Sequence, residues 1–168
     1  MTKSSELNPN YSTTRLVTRE RPVIEEPPAA AFKTVLFLPV GEGRQGEGGL
    51  RTQGYFKRSL PDKDKPLITV ITVVFNGVQR LEETILSVIG QTYDNVEYII
   101  IDGGSTDGTL DIIRKYEHAI DYWVSEKDRG IYDAMNKGID LTTGEWMNFM
   151  NAGDSFFSKN IRHASYPG

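Results

Sequence analysis

Four apolar runs in this sequence end in side chains that can bind ions or polar ligands: Phe75-Asn76, Ile101-Asp102-Gly103-Gly104, Ser125-Glu126-Lys127-Asp128 and Asn151-Ala152-Gly153-Asp154. One such ending is ordinary turn chemistry. Four in succession predict a polar site along one edge of a sheet. Three of them bring carboxylates, which repel an anionic ligand unless a cation intervenes. A hard divalent cation takes oxygen ligands and can bridge carboxylates to a diphosphate. The expected ligand is therefore a nucleotide diphosphate carried by Mg2+ or Mn2+.

The elements that must position these groups alternate. Leu67 to Phe75 is a near-continuous β-branched run, as a strand buried on both faces requires. Leu81, Ile85, Val88 and Ile89 recur at helical spacing, and Gly90 ends that helix. Val96 to Ile101 reads as a second buried strand. Ser105-Thr106-Asp107-Gly108 offers caps to a helix bearing Leu110, Ile113 and Tyr116. A short strand over Asp121–Val124 follows, then a helix over Ile131–Leu141 with Ala134, Met135 and Ile139 inward, then a strand over Glu145–Met150. This alternation predicts an α/β fold with right-handed crossovers and a mostly parallel sheet flanked by helices. Ligands of such sheets bind beyond the carboxyl ends of the strands, where the four polar endings lie.

Upstream, residues 1–31 are polar and end in a Pro- and Glu-rich run, which reads as a flexible tail. Residues 32–66 read as short strands, a Gly-rich loop and a linker. Phe32 to Val40 is an apolar run with the look of a short strand. Gly41 to Gly49 holds five glycines and is expected to be a mobile loop joining it to a second strand near Leu50–Phe56. No Gly-Lys-Ser/Thr closes the run, so a phosphate-cradling P-loop is a poor reading. Asp62 to Pro66 is a charged linker into the main unit, 67–168.

Composition removes several classes of function. The chain has 168 residues, 38% of them hydrophobic, enough for one domain with a real core. Its net charge of −4, with both signs interspersed, argues against nucleic-acid binding. The absence of cysteine excludes a disulfide framework and a Cys-ligated zinc site. His118 and His163 lack zinc-ligand spacing and read as surface residues. The start has no apolar signal region, and no stretch approaches the ~20 apolar residues of a membrane span. A soluble, cytoplasmic chain that can also work at a membrane surface is expected. A dinucleotide oxidoreductase is disfavoured, because Asn76-Gly77-Val78-Gln79-Arg80 after the first strand has no G-x-G-x-x-G.

Thr72–Asn76, Glu83–Thr92, Ile101–Thr109, Gly130–Gly138 and Thr143–Asp154, in this order, resemble the opening of family 2 glycosyltransferases. The variant with Asp-Gly-Gly-Ser and Asn-Ala-Gly-Asp looks most like bacterial enzymes of O-antigen, colanic-acid and other cell-envelope polysaccharide assembly. The resemblance implies a GT-A fold and transfer of a sugar, with inversion, from a nucleotide-diphosphate donor to a saccharide or polyprenyl-linked acceptor. It also implies work in the cytoplasm or peripherally at the inner face of the cytoplasmic membrane. Thr72, Val74, Phe75 and Asn76 would lie against the base. Asp102 and Gly103 would contact base or ribose, and the Lys127–Gly130 segment, with Asp128 and Arg129, would approach the sugar-diphosphate. Asn151–Asp154 would stand at the family's D-x-D metal signature.

Two departures from that pattern matter. Gly103 stands where many members have a second acid. Only one carboxylate, Asp154, remains of the metal signature, so Asp154 is the expected metal ligand and Asn151 an auxiliary contact at most. Metal affinity should therefore be low until the diphosphate arrives. Asp107 reads as a first-turn helix acid, Asn136 leaves function and structure open, and Trp123 and Trp146 read as core. The family's catalytic base lies downstream of the metal signature, yet only 14 residues follow Asp154. The chain thus reads as truncated, its catalytic residue unknown. The alternative is a non-catalytic nucleotide-sugar-binding fragment or interaction module.

Overall fold

A computed structural model of the chain describes residues 7–25, 33–156 and 159. Five strands form one sheet: β1 (Gly46–Gly48), β2 (Ile68–Val74), β3 (Val96–Asp102), β4 (Tyr122–Ser125) and β5 (Trp146–Phe149). Their order is β1-β4-β3-β2-β5, with β1 antiparallel to β4 and every other pair parallel. The helices α1 (Leu81–Ile89), α2 (Thr109–Lys115) and α3 (Ile131–Leu141) are the crossovers.

The β-branched runs are strands because helices cover both faces of the sheet. Ile68, Val70 and Val74 of β2, with Tyr98 and Ile100 of β3, pack with Leu81, Ile85, Val88 and Ile89 of α1 and Ile113 of α2. The alternate residues Ile71, Val73, Ile99 and Ile101 pack on the other face with Ala134 and Leu141 of α3. Gly138 lies buried one turn from Ala134, and a Cβ there would stand 2.5 Å from Ile71, so α3 presses on β2 at a bare position. The buried face of α3 is thus Ala134, Gly138 and Leu141; Met135 is half-buried and packs against the same cluster as expected, whereas Ile139, also half-buried, is not part of it. Chain order reverses between β2 and β5, so the carboxyl ends of these strands form the crevice where doubly wound sheets hold ligands.

The upstream half differs from expectation. Residues 33–40 are not a strand; Val35, Phe37 and Leu38 lie as an irregular cover over the α3 side of the core, with Phe37 edge-on to Tyr122. The strand lies within the glycine run itself, as β1. Bare backbone is needed there, since a Cβ on Gly48 would stand 2.7 Å from the Trp123 indole. Leu50–Gln53 is a 3-10 turn rather than a strand. The expected tail is in part structural: Ser12, Thr13 and Thr14 are buried, and the Ser12 and Thr13 hydroxyls donate to Val88 O (2.8 Å) and Ala119 O (2.5 Å). Residues 1–6 and 26–31 of that expected tail lie outside the described residues. The expected linker is docked, with Lys65 paired to Asp94.

Two buried ion pairs tie this half to the amino ends of the strands: Arg51 with Glu97 and Lys57 with Asp121. Glu97 also accepts from Thr69 Oγ1 (2.6 Å) and Thr143 Oγ1 (2.8 Å). A charge inside an apolar strand such as Val96-Glu97-Tyr98-Ile99 demands a buried partner, and this was the legible sign that the upstream segment folds into the domain. Trp123 is core, as expected. Trp146 is not: it is 57% exposed, because β5 is the outer strand and among the described residues no strand lies beyond it.

Candidate functional site

The polar strand ends converge on a cleft of about 930 Å3 along the carboxyl edge of the sheet. That volume is in the range of small-molecule sites. Its floor is backbone. A Cβ on Gly77 would stand 2.7 Å from Val74 Cγ2, and one on Gly103 would collide with the Asp128 carboxylate. Gly104 has φ +92, a conformation that favours glycine. Val74, Phe75, Asn76, Gly103, Asp128 and Asn151, expected from sequence, all line the cleft. Phe75 keeps 66% of its surface exposed there, leaving a ring face for a ligand.

Four expected residues are placed differently. Thr72 is fully buried, its hydroxyl 2.8 Å from Tyr98 OH, because it points into the β2–β3 core. Burial pushes the Tyr98 phenol far up, so that hydroxyl pair is neutral. Asp102 is also fully buried and does not line the cleft. Its carboxylate accepts from Ser105 N (3.0 Å), Ser105 Oγ and Ser125 Oγ (2.6 Å), so it shapes the loop that carries Gly103 and Gly104. Arg129 is exposed outside the lining, its N–H donating to Asp133 Oδ2 at 3.0 Å. Asp154 sits beside the lining rather than in it. Asn136 is exposed; His118 is exposed against Tyr11, and His163 lies outside the described residues.

The loops are stapled to one another. Asn76 adopts φ +50, and its side chain accepts from Thr106 N at 2.9 Å while its own N–H donates to Ser105 Oγ at 2.7 Å. Asp107 joins this staple rather than serving α2 alone, accepting from Val78 N (3.2 Å) and Thr109 N (3.1 Å), with Gly108 at the helix cap. These bonds hold its carboxyl below the usual range against a desolvation effect of opposite sign.

Lys127, in the strand end expected to approach the sugar-diphosphate, also lines the cleft, and so do Arg80, Gly43 and Gln45, which sequence reasoning did not assign to the site. Arg80 and Lys127 are exposed cations that form no ion pair with a carboxylate among the described residues. Arg80 was legible as a cation one turn past a polar strand end. Gly43 and Gln45 carried no local signal.

The residues fit a divalent cation only in part. Among the described residues no group of three or more His, Cys, Asp or Glu could hold one. Asp154 Oδ2 accepts from Asn151 N at 3.2 Å, and the Asp154 carbonyl is pinned by Thr84 Oγ1 at 2.7 Å. A single carboxylate held this way suits a cation whose other ligands arrive with a phosphate ligand, not a resident ion.

A crossover sheet whose switch point opens on a glycine-floored, cation-bearing cleft defines a doubly wound α/β fold with its cleft at the carboxyl edge of the sheet. Residues 69–163, more than half of the chain, match the profile of Glycosyl transferase family 2, and the chain belongs to that family. An uncharacterized glycosyltransferase of Mycobacterium tuberculosis is 39% identical over 97 residues, and a PGL/p-HBAD biosynthesis glycosyltransferase of Mycobacterium bovis is 38% identical over 97. These matches cover 57% and 55% of this chain, and 37% of each relative, so the chain spans little more than a third of their length. A mannosyltransferase from Pyrobaculum calidifontis, solved with GDP-Man and Mn2+, superposes with a TM-score of 0.53 at 27% identity, over 56% of this chain and 30% of its own. TarS of S. aureus, solved with UDP-GlcNAc, gives 0.53 at 22% identity over 59% of this chain and 30% of its own, and supports the fold alone. The fold is GT-A.

Proposed function

We propose that the cleft binds the diphosphate of a nucleotide-sugar donor. In this reading the chain supplies the donor-binding part of a glycosyltransferase that passes the sugar, with inversion, to a saccharide or polyprenyl-linked acceptor of a cell-envelope polysaccharide. Its place of work is the cytoplasm or the inner face of the cytoplasmic membrane. Among the described residues no helix is long and apolar enough to cross that membrane. The observation that carries the reading is the pairing of a bare glycine floor with an unneutralised cation, Arg80, on the β2 side of the cleft next to the switch point of the sheet. Bare backbone lets a ligand approach closely, and the cation offsets the charge that grows on a leaving diphosphate.

The Mn2+ of the mannosyltransferase supports a divalent cation here, with Asp154 as its protein ligand and Asn151 at most auxiliary. Such a cation would supply Lewis-acid support to the leaving group. This chain's own residues do the rest. Phe75 and Val74 offer apolar contact to the base, the Gly103–Gly104 backbone admits it, and Asp128 stands over that loop.

Calorimetry of UDP, GDP and dTDP, with and without Mn2+, tests the reading. Arg80→Ala is expected to weaken the bound diphosphate about tenfold, as loss of a charge-assisted contact does, and to leave affinity for the matching nucleoside unchanged. Asp154→Ala should abolish the gain in affinity that Mn2+ brings. Equal affinities of wild type and Arg80→Ala for the diphosphate would sink the assignment of the phosphates to this cleft.

A further inference from the structure

The glycine run upstream of the family match forms a wall of the cleft. Gly43 and Gln45 line it although the match begins only at residue 69. This wall is built and held. The N–H of Gln45 donates to Ser125 O at 2.8 Å, which continues the β1–β4 ladder up to the cleft. Next to it, Arg44 grips the buried Glu126 twice, at 2.8 and 2.9 Å, and donates to Pro39 O at 2.7 Å. Glu126 is braced from α3 by Lys137 at 3.1 Å. Glycine is needed along this path: a Cβ on Gly41 would collide with the Glu126 carboxylate, and Gly43 has φ +65. These bonds order the backbone at Gln45 before any ligand arrives and leave its side chain on the cleft, its carboxamide making no hydrogen bond among the described residues.

The wall stands at one end of the cleft. β1 is the opposite edge strand from β5, so Gln45 faces the end bounded by Lys127 and Gly103–Gly104, away from Asn151, Ala152 and Arg80. A Cβ on Gly43 would lie 3.6 Å from Lys127 Cβ, and one on Gly104 3.5 Å from the Lys127 backbone, so these groups form one cluster. At that end Gly103 offers no side chain, and Asp128 occupies the space where one would go. If the phosphates lie toward Arg80 and Asp154, the nucleoside occupies the Gln45 end.

We propose that Gln45 is a specificity residue for the nucleotide, its carboxamide hydrogen-bonding the edge of the base. A carboxamide carries both a donor and an acceptor, so it can match one base edge and leave an unpaired polar group against another. A site that hydrogen-bonds its ligand discriminates strongly for that reason. This inference rests on the donor-site reading of the cleft, and its test separates the two.

The full chain is titrated by calorimetry with UDP, GDP, dTDP, CDP and ADP in the presence of Mn2+, as wild type, Gln45→Ala and Arg80→Ala. Gln45 is exposed, so Gln45→Ala keeps the wild-type melting temperature. The preference of wild type for its best nucleotide over the others is expected to shrink about tenfold in Gln45→Ala, the effect of one lost hydrogen bond to a base edge. Arg80→Ala should weaken all five alike and keep the preference. An unchanged ranking and spread of affinities in Gln45→Ala overturns the role of Gln45 while leaving the donor site standing. Failure of wild type to bind any of the five overturns the donor site and this inference with it.

Discussion

Asp102 and Asp128 show how two carboxylates that look alike in sequence divide their work. Asp102 spends its oxygens on Ser105 and Ser125 and holds the loop after β3 in shape. Asp128 lines the cleft, and one oxygen accepts from Gly130 N at 2.9 Å. Asp128 occupies the space that a side chain at position 103 would need, so it could not stand there if residue 103 were not glycine. Asp102→Ala leaves two buried hydroxyls and an amide without their acceptor. It is expected to cost about 2–3 kcal/mol in urea unfolding, as lost hydrogen bonds to a buried charge do. Asp107→Ala, on an exposed turn, should cost less. An Asp102→Ala protein as stable as wild type would return Asp102 to the list of ligand contacts.

At the scale of elements, the segment around Leu50–Phe56 behaves as part of the domain rather than as a connector. Its two cations reach the amino ends of β3 and β4, opposite the cleft, and neutralise Glu97 and Asp121 there. Burial lowers the Lys57 ammonium and raises the Asp121 carboxyl from their ordinary values, each partner pulling the other back toward its charged form. Removing one member strands the other in the core. Lys57→Met is therefore expected to destabilise the fold by about 3–5 kcal/mol, and the double change Lys57→Met with Asp121→Asn by less than the sum of the singles. Additive losses in chemical denaturation would show that the pair is not coupled. The alternation of β2, α1, β3, α2, β4, α3 and β5 was legible from apolar period alone. β1 was not, because Gly46-Glu47-Gly48 has no strand period and pairs only because glycine lets it lie against Trp123.

At the scale of the whole molecule, the buried carboxylates make stability depend on pH with opposing signs. Burial by itself would raise the Glu97 carboxyl, but the Arg51 guanidinium and hydrogen bonds from Thr69 and Thr143 hold it below its ordinary 4.5. A depressed carboxylate contributes stability that is complete above its unfolded value and is lost as pH falls through the folded one. Asp94 has the same sign, held down first by its hydrogen bond from Lys65. Asp121, raised chiefly by burial, has the opposite sign: its contribution is present at low pH and lost as pH rises through the folded value. The test is therefore a difference between proteins. Glu97→Gln should melt below wild type at pH 7, and the gap should narrow as pH falls below about 4.5. A gap that stays constant from pH 7 to about 3 would mean that Glu97 titrates alike in both states.

Local pattern was enough to establish the α/β class, the parallel core and the edge of the sheet at which a ligand would lie. Strand-end polarity, a property of neighbouring positions, also pointed to Asn76, Asp128 and Asn151, and the family resemblance to Val74, Phe75 and Gly103; all six line the cleft. Which side chains turn into that edge and which turn away is another matter. Thr72 and Asp102 looked like ligands and are core, Trp146 looked like core and is exposed, and Gln45 looked like part of a loose loop and is a wall. These outcomes depend on strand order, on the antiparallel seat of β1 against β4, and on an ion pair between residues 44 and 126. Such pairings join segments far apart along the chain, and their free energy comes from burial and charge neutralisation that only the assembled core provides.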